Sequence, residues 1–265
     1  MIASVLALQP AGAFGFRWRA VPTDGSRTGV TAPNTSNIDE ALGTFDGRTY
    51  VAPNGARFRK NSATAKAARL MIDAQSEMAY VKEVVGYSPK GISRRNGMLG
   101  AWSVDCLMRC AETEFGEKVD LGLMNNGGIR IDMPQGDVLV DDLLSMFPFK
   151  NYLCLVRMTG EDVMTLFKSM ASRMQAVGGV KVTLKGGKIQ ELLVGGEPVD
   201  PQKVYNLATI DFVLDGGDGF FAGNTLDVKR SQIMVFDAII ANVRALTAAG
   251  TLIEQEDDGR IVNID

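Results

Sequence analysis

Val180-Lys181-Val182-Thr183-Leu184-Lys185-Gly186-Gly187-Lys188-Ile189 decides how this chain folds. Val180, Val182 and Leu184 alternate with Lys181, Thr183 and Lys185, the period of a strand with one buried and one solvated face. Gly186-Gly187 can take positive φ at both central positions of a two-residue turn, which leads the chain back through Ile189–Val194. An antiparallel hairpin inside a chain that otherwise mixes helix and strand patterns argues against a regular βαβ succession. The expected class is α+β, with a mixed sheet, antiparallel hairpins and packed helices.

Outward from the hairpin, strand patterns fall at Val119–Met124, Tyr152–Met158, Tyr205–Phe212 and Ile261–Ile264. Helical spacing is found at Ala101–Phe115, Asp141–Met146, Gly160–Met174 and Gln232–Leu246. Thr159 and Asp162 have the spacing of a capping arrangement for the third of these helices, and Ser231 is the expected N-cap of the fourth. In the third helix Met170 and Met174 recur with Val163 and Leu166 at core intervals.

Towards the start, Ser62–Ala79 has an amphipathic helical pattern, and Arg48–Val51 and Arg57–Arg59 flank an Asn54-Gly55 turn, a second short hairpin. Ile2–Leu8 is apolar and is followed by Ala11-Gly12-Ala13, a small-x-small pattern of the kind cut by signal peptidases, although the usual basic start is missing. The expected organisation is a signal-peptide remnant over 1–17, an extension over 18–80 and the main domain over 81–265. An exported protein, periplasmic or secreted, is the corresponding expectation.

Composition narrows the partners. A net charge of −3 gives no basic footprint for phosphate-backbone binding, so nucleic acid is not an expected partner. No apolar run approaches the roughly 20 residues that span a bilayer, so no membrane span is expected. Cys106, Cys110 and Cys154 are too few for a disulfide framework; buried thiols are expected, and nothing completes a zinc set around them. With no histidine among its 265 residues, the chain offers no imidazole to a hydrolytic centre.

Three loops beside predicted strands carry more chemistry than a turn requires. In Asn125-Asn126-Gly127-Gly128-Ile129-Arg130 the paired glycines allow backbone to approach a ligand, and Arg130 has a planar donor fork suited to phosphate or carboxylate; alone, it also reads as an ordinary turn with a solvated arginine. Phe147-Pro148-Phe149-Lys150-Asn151 is a rigid bend presenting a ring beside an amide, or else a core phenylalanine after a turn. Thr209–Phe220 ends a strand at Phe212 and sets Asp218 among glycines six residues later. A ring and an acceptor-only carboxylate suit a nucleoside, the ring for the base and the carboxylate for both ribose hydroxyls. A calcium loop fits poorly, because the spacing fails the EF-hand pattern and lacks its closing glutamate.

Taken together, these stretches resemble the C-terminal, nucleotide-recognising domain of the 5'-nucleotidase family from about Val81 onward. The resemblance also includes Gly136-Asp137, Met158-Thr159-Gly160, Gly196-Glu197-Pro198-Val199-Asp200 and Gly216-Gly217-Asp218-Gly219, in the same order. It implies a 5'-nucleotidase C-terminal-domain-like fold in which Phe149 and Phe212 clamp the base, and Asn151, with Asn125 as a second amide, bonds it. By the same resemblance Asp218 holds the ribose, Arg130 reaches the phosphate, and Gly128 and Gly217 belong to the binding loops. A further family arginine lies upstream of a helix beginning near Gly100, a place that Arg94 or Arg95 fills.

The resemblance departs from the family at one point. Family enzymes carry an N-terminal metallophosphoesterase domain whose two metals are held by Asp, Asn, Gln and His, and the residues before Val81 are too few to form it. No cofactor is expected in this chain, and divalent metals are expected in a partner metallophosphoesterase domain. Two functions follow as expectations: the recognition half of a split 5'-nucleotidase working in nucleotide catabolism with a separate metallophosphoesterase polypeptide, or a stand-alone exported nucleoside- or nucleotide-binding protein. A third, a metal-dependent hydrolase built on Asp211, Asp215 and Asp218, rests only on the density of carboxylates.

Overall fold

The computed structural model describes residues 40, 42–73, 77, 79–221 and 227–264. The expected signal-peptide remnant lies outside them. The chain divides into two compact units, Met1–Met78 and Ala79–Asp265.

In the first unit, strands β1 (Thr44–Asp46), β2 (Thr49–Val51) and β3 (Arg57–Arg59) form an antiparallel sheet, followed by helix α1 (Ala63–Asp73). The Asn54-Gly55 turn joins β2 to β3 as its sequence requires: Gly55 has φ of 80°, and the Asn54 side chain accepts from the Ala56 N–H. Tyr50, Ala65 and Ala68 form a small core with Phe45 and Phe58 against it. The helix is shorter than its periodicity predicts. Its described span is Ala63–Asp73, and Ala79 belongs to a separate 3-10 turn, Ala79–Lys82.

The second unit is built around a five-stranded sheet. Its strands are β5 (Leu121–Met124), β7 (Tyr152–Thr159), β8 (Ala176–Gly178), β12 (Val204–Ile210) and β13 (Asp227–Met234), in the order β13-β7-β12-β5-β8. Only β12 and β5 run parallel; the other neighbours are antiparallel. Strands β9 (Val180–Lys185), β10 (Lys188–Val194), β11 (Glu197–Pro198) and β14 (Ile261–Asn263) make a four-stranded sheet, and β4 (Val84–Ser88) pairs with β6 (Gly136–Leu139). The opening hairpin is β9–β10, with Gly186 and Gly187 at φ of 53° and 71°. The class is α+β, as expected.

Helix α2 (Met98–Phe115) lies on the five-stranded sheet and buries Leu99, Trp102, Val104, Leu107 and Ala111. Gly122 of β5 permits that approach, because a Cβ there would meet the side chains of Val104 and Met108. A fully buried leucine such as Leu107 contributes about 1.5–3 kcal/mol by transfer from water. The remaining helices of this unit are α3 (Val140–Met146), α4 (Gly160–Met170), α5 (Asp211–Leu214) and α6 (Val235–Ala248).

Local signals place most ends but not all. Thr159 and Asp162 cap α4 reciprocally, as their spacing predicts, yet α4 stops at Met170 and not at Met174. Ser231 caps nothing: β13 runs through it to Met234, and α6 starts at Val235. The Ser231 hydroxyl instead donates to Glu114 and accepts from the Ile233 N–H. Pairing with β7, Arg230 opposite Cys154 and Met234 opposite Tyr152, overrides the local helical pattern. Strand β12 likewise ends at Ile210, short of Phe212, because Asp211 begins a helical turn.

Candidate functional site

Parallel β5 and β12 end, and antiparallel β7 begins, at the same end of the sheet. The three chemistry-bearing loops follow β5, precede β7 and follow β12, so topology alone brings them to one end. Strand ends in mixed and parallel sheets are where ligand-binding loops gather.

The first loop is fixed through its backbone. Asn126–Gly128 forms a 3-10 turn in which the Gly128 N–H donates to the Asn125 carbonyl at 3.0 Å. Gln175 accepts from the Asn126 N–H at 3.0 Å, and the Asn126 amide donates to the Met174 carbonyl at 3.1 Å. Asn125 is only 7% exposed, beneath this turn, and its Oδ1 is buried without a hydrogen-bond partner among the described residues. Gly128 is required by that packing, since a Cβ would stand 2.9 Å from the Asn125 Oδ1.

At the end of this loop the Arg130 N–H donates to the Met146 carbonyl at 3.0 Å, which joins the first loop to the second. The Arg130 guanidinium donates to the Gly127 carbonyl at 3.0 Å and lies 5.9 Å from the centroid of the Phe149 ring. That is the outer limit of a cation–π contact, worth roughly 0.5–1 kcal/mol at an exposed site. Arg94 leans towards the same loop: its guanidinium donates to the Ile129 carbonyl at 3.4 Å and lies 3.8 Å from the Asp132 carboxylate. Arg95 is exposed, and its N–H donates to the Ser93 hydroxyl.

In the second loop Phe147 is buried and Phe149 is 47% exposed, so the bend turns one ring into the core and the next one out. Asn151 is half-buried, and its carbonyl accepts from the Val235 N–H. In the third loop Phe212 is 45% exposed. Gly217 lies against that ring, where a Cβ would collide with the ring and with the Phe212 carbonyl oxygen. Asp218 is exposed at φ 58°, the one non-glycine residue at positive φ among those described.

Two carboxylates that sequence reading assigned to turns or metal organise the third loop. Asp211 Oδ1 accepts from the Tyr152 N–H at 3.0 Å and the Phe212 N–H at 2.8 Å, so it ties the start of β7 to the third loop. Asp215 takes both terminal nitrogens of Arg230, at 2.5 and 3.1 Å. Arg230 holds the Asp215 carboxyl below the usual carboxylate range. With both groups engaged, Asp211, Asp215 and Asp218 do not fit a metal set, and no cluster of three or more potential ligands occurs among the described residues. Cys106 and Cys110 are buried free thiols pushed up to about 12 by burial, and so are protonated at neutral pH.

Two exposed rings on neighbouring loops, a carboxylate at positive φ and an arginine thus stand at one end of an α+β scaffold. Residues 51–223 match the model of the family described as 5'-nucleotidase, C-terminal domain, and the chain belongs to that family. It is 36% identical to Protein UshA of Escherichia coli over 107 residues, which is 38% of this chain and 20% of UshA. It is 24% identical over 263 residues to Cell wall protein Lmo0130 of Listeria monocytogenes, covering 86% of this chain and 33% of that protein. Among solved structures, a 5'-nucleotidase precursor from Thermus thermophilus aligns with a TM-score of 0.65 at 21% identity, over 76% of this chain and 43% of that one. The chain thus spans about a fifth of UshA and a third of the Listeria protein.

Proposed function

We propose that this chain is the nucleotide-recognition half of a 5'-nucleotidase, binding nucleoside phosphates for hydrolysis by a metallophosphoesterase carried on a separate polypeptide. The observation that carries the reading is the convergence of the three loops at one end of the five-stranded sheet, with Phe149 and Phe212 exposed, Arg130 5.9 Å from the Phe149 ring and an exposed Asp218 next to Gly217, which lies against Phe212.

The division of labour follows from the side chains. Phe149 and Phe212 stack on the two faces of the base, and Asn151 donates to and accepts from its edge. Asp218 accepts the two ribose hydroxyl protons, and Arg130, with Arg94 or Arg95, neutralises phosphate oxygens through a planar fork. Divalent metals in the partner would supply the hydroxide nucleophile and screen the phosphate charge. This chain has no histidine with which to hold such ions, so its own contribution is orientation of the substrate.

Export to the periplasm or the exterior is part of the proposal, supported by the apolar Ile2–Leu8 segment and its Ala11-Gly12-Ala13 sequel. No helix among the described residues is long and apolar enough to cross a membrane.

The test is a mixed assay. The full chain is titrated with nucleosides and nucleotides, alone and with a purified metallophosphoesterase from the same source, while phosphate release is followed. Binding, with hydrolysis stimulated by this chain, is the expected result. Tight binding without any partner effect would favour a stand-alone nucleoside- or nucleotide-binding protein, and no binding of either kind would end the reading.

A further inference from the structure

The turn Asp215–Phe220 has little of its own to hold it in shape. Gly216, Asp218 and Gly219 have φ of 98°, 58° and 75°, so three of four consecutive residues are left-handed. For aspartate that conformation is less favourable than the right-handed or extended ones. Within the turn the backbone contributes the Gly219 N–H to the Gly216 carbonyl, and the Asp215 N–H closes on Asp211. What reaches across to the sheet is the Asp215 carboxylate, held by both arms of Arg230. Arg230 sits in β13 directly opposite Cys154 of β7, a paired strand position just before a register shift.

We propose that Arg230 is a positioning residue for ribose recognition, acting through Asp215 to hold Asp218 in its left-handed conformation. This rests on the reading of Asp218 as the ribose carboxylate. Arg230 and Asp215 side chains are 46% and 59% exposed, and an ion pair so open to water adds little to folding stability. A two-armed guanidinium–carboxylate pair fixes angle as well as distance, which a single-point contact does not. Its effect therefore falls on the geometry of the turn. Arg230 does not itself touch the ligand, and the base clamp lies outside its reach except through Gly217 and Phe212.

The test separates ribose from base. Wild type, Arg230→Gln, Arg230→Lys and Asp218→Ala forms of the full chain are titrated calorimetrically with adenosine and uridine, and with their 2',3'-dideoxy analogues. Arg230→Gln should weaken binding of the ribonucleosides by roughly three- to fivefold, the size of an exposed pair's coupling. Arg230→Lys should recover part of that loss, and dideoxynucleoside affinity and Tm should stay as in wild type. If Arg230→Gln leaves ribonucleoside affinity unchanged, or weakens both ligand series equally, while Asp218→Ala is ribose-selective, the positioning role is wrong and the ribose reading stands. If Asp218→Ala shows no ribose selectivity either, the ribose reading fails and the positioning role with it.

Discussion

The loops at Asn125–Arg130 and Asp215–Phe220 stand at the same end of one sheet, and they are held in opposite ways. The first is anchored through main-chain and amide contacts to Gln175, Met174 and Met146, with Asn125 buried beneath it. The second is anchored through carboxylates, Asp211 to two backbone N–H groups and Asp215 to an exposed arginine. Contacts of the first kind are indifferent to pH and salt, whereas exposed ion pairs are screened by salt and lost in acid. Under the proposed function, the phosphate-facing side therefore rests on contacts indifferent to pH and salt, and the ribose-facing side on contacts sensitive to both.

The largest effects should come from the rings both loops serve. Phe149→Ala and Phe212→Ala should each weaken nucleoside binding by about 1–3 kcal/mol, the range for base–aromatic stacking, as read by calorimetry. Unchanged affinity in both would leave nothing for the two loops to flank. Next, Arg130→Ala should cost nucleotides about 1 kcal/mol more than nucleosides, since only the former have a phosphate to lose. Equal losses would assign Arg130 to the ring beside it and not to phosphate. Gln175→Ala should destabilise the fold by about 1 kcal/mol in denaturant titration, because it strips the acceptor from the Asn126 N–H. That loss should be the same in low and high salt.

The smallest effect belongs to acid. The Asp215 carboxyl is held below its ordinary value of 3.8 by Arg230, so the pair's contribution is complete above that value and is lost as pH falls through the lowered one. Because the pair is exposed to solvent and contributes little, stability should change little down to about pH 4, then decline, and Asp215→Asn should remove that increment of the decline. A decline in this increment beginning near neutrality would point to a different group.

Part of the fold is legible in the sequence alone. The β9–β10 hairpin follows from alternation and two glycines, and the Thr159–Asp162 cap from spacing, because both are settled by neighbours in sequence. Strands β4, β6 and β13 were not legible, because their pairing partners lie far along the chain and Asp227–Met234 is mostly polar. The rings and loops of the candidate site could be named from sequence, but the contacts that hold those loops could not. Asp211 looked like a turn residue or a metal ligand, Gln175 gave no signal, and Arg230 falls in a stretch that reads as the approach to a helix. Only the sheet register places Arg230 beside Asp215.

The most direct measurement is a calorimetric titration of the full chain with a panel of nucleosides and their 5'-monophosphates, repeated with the Phe149→Ala/Phe212→Ala double variant. Saturable binding of at least one nucleoside by the wild type, abolished in a double variant that keeps its Tm, is the predicted result. Binding that survives loss of both rings would contradict a site built on these loops.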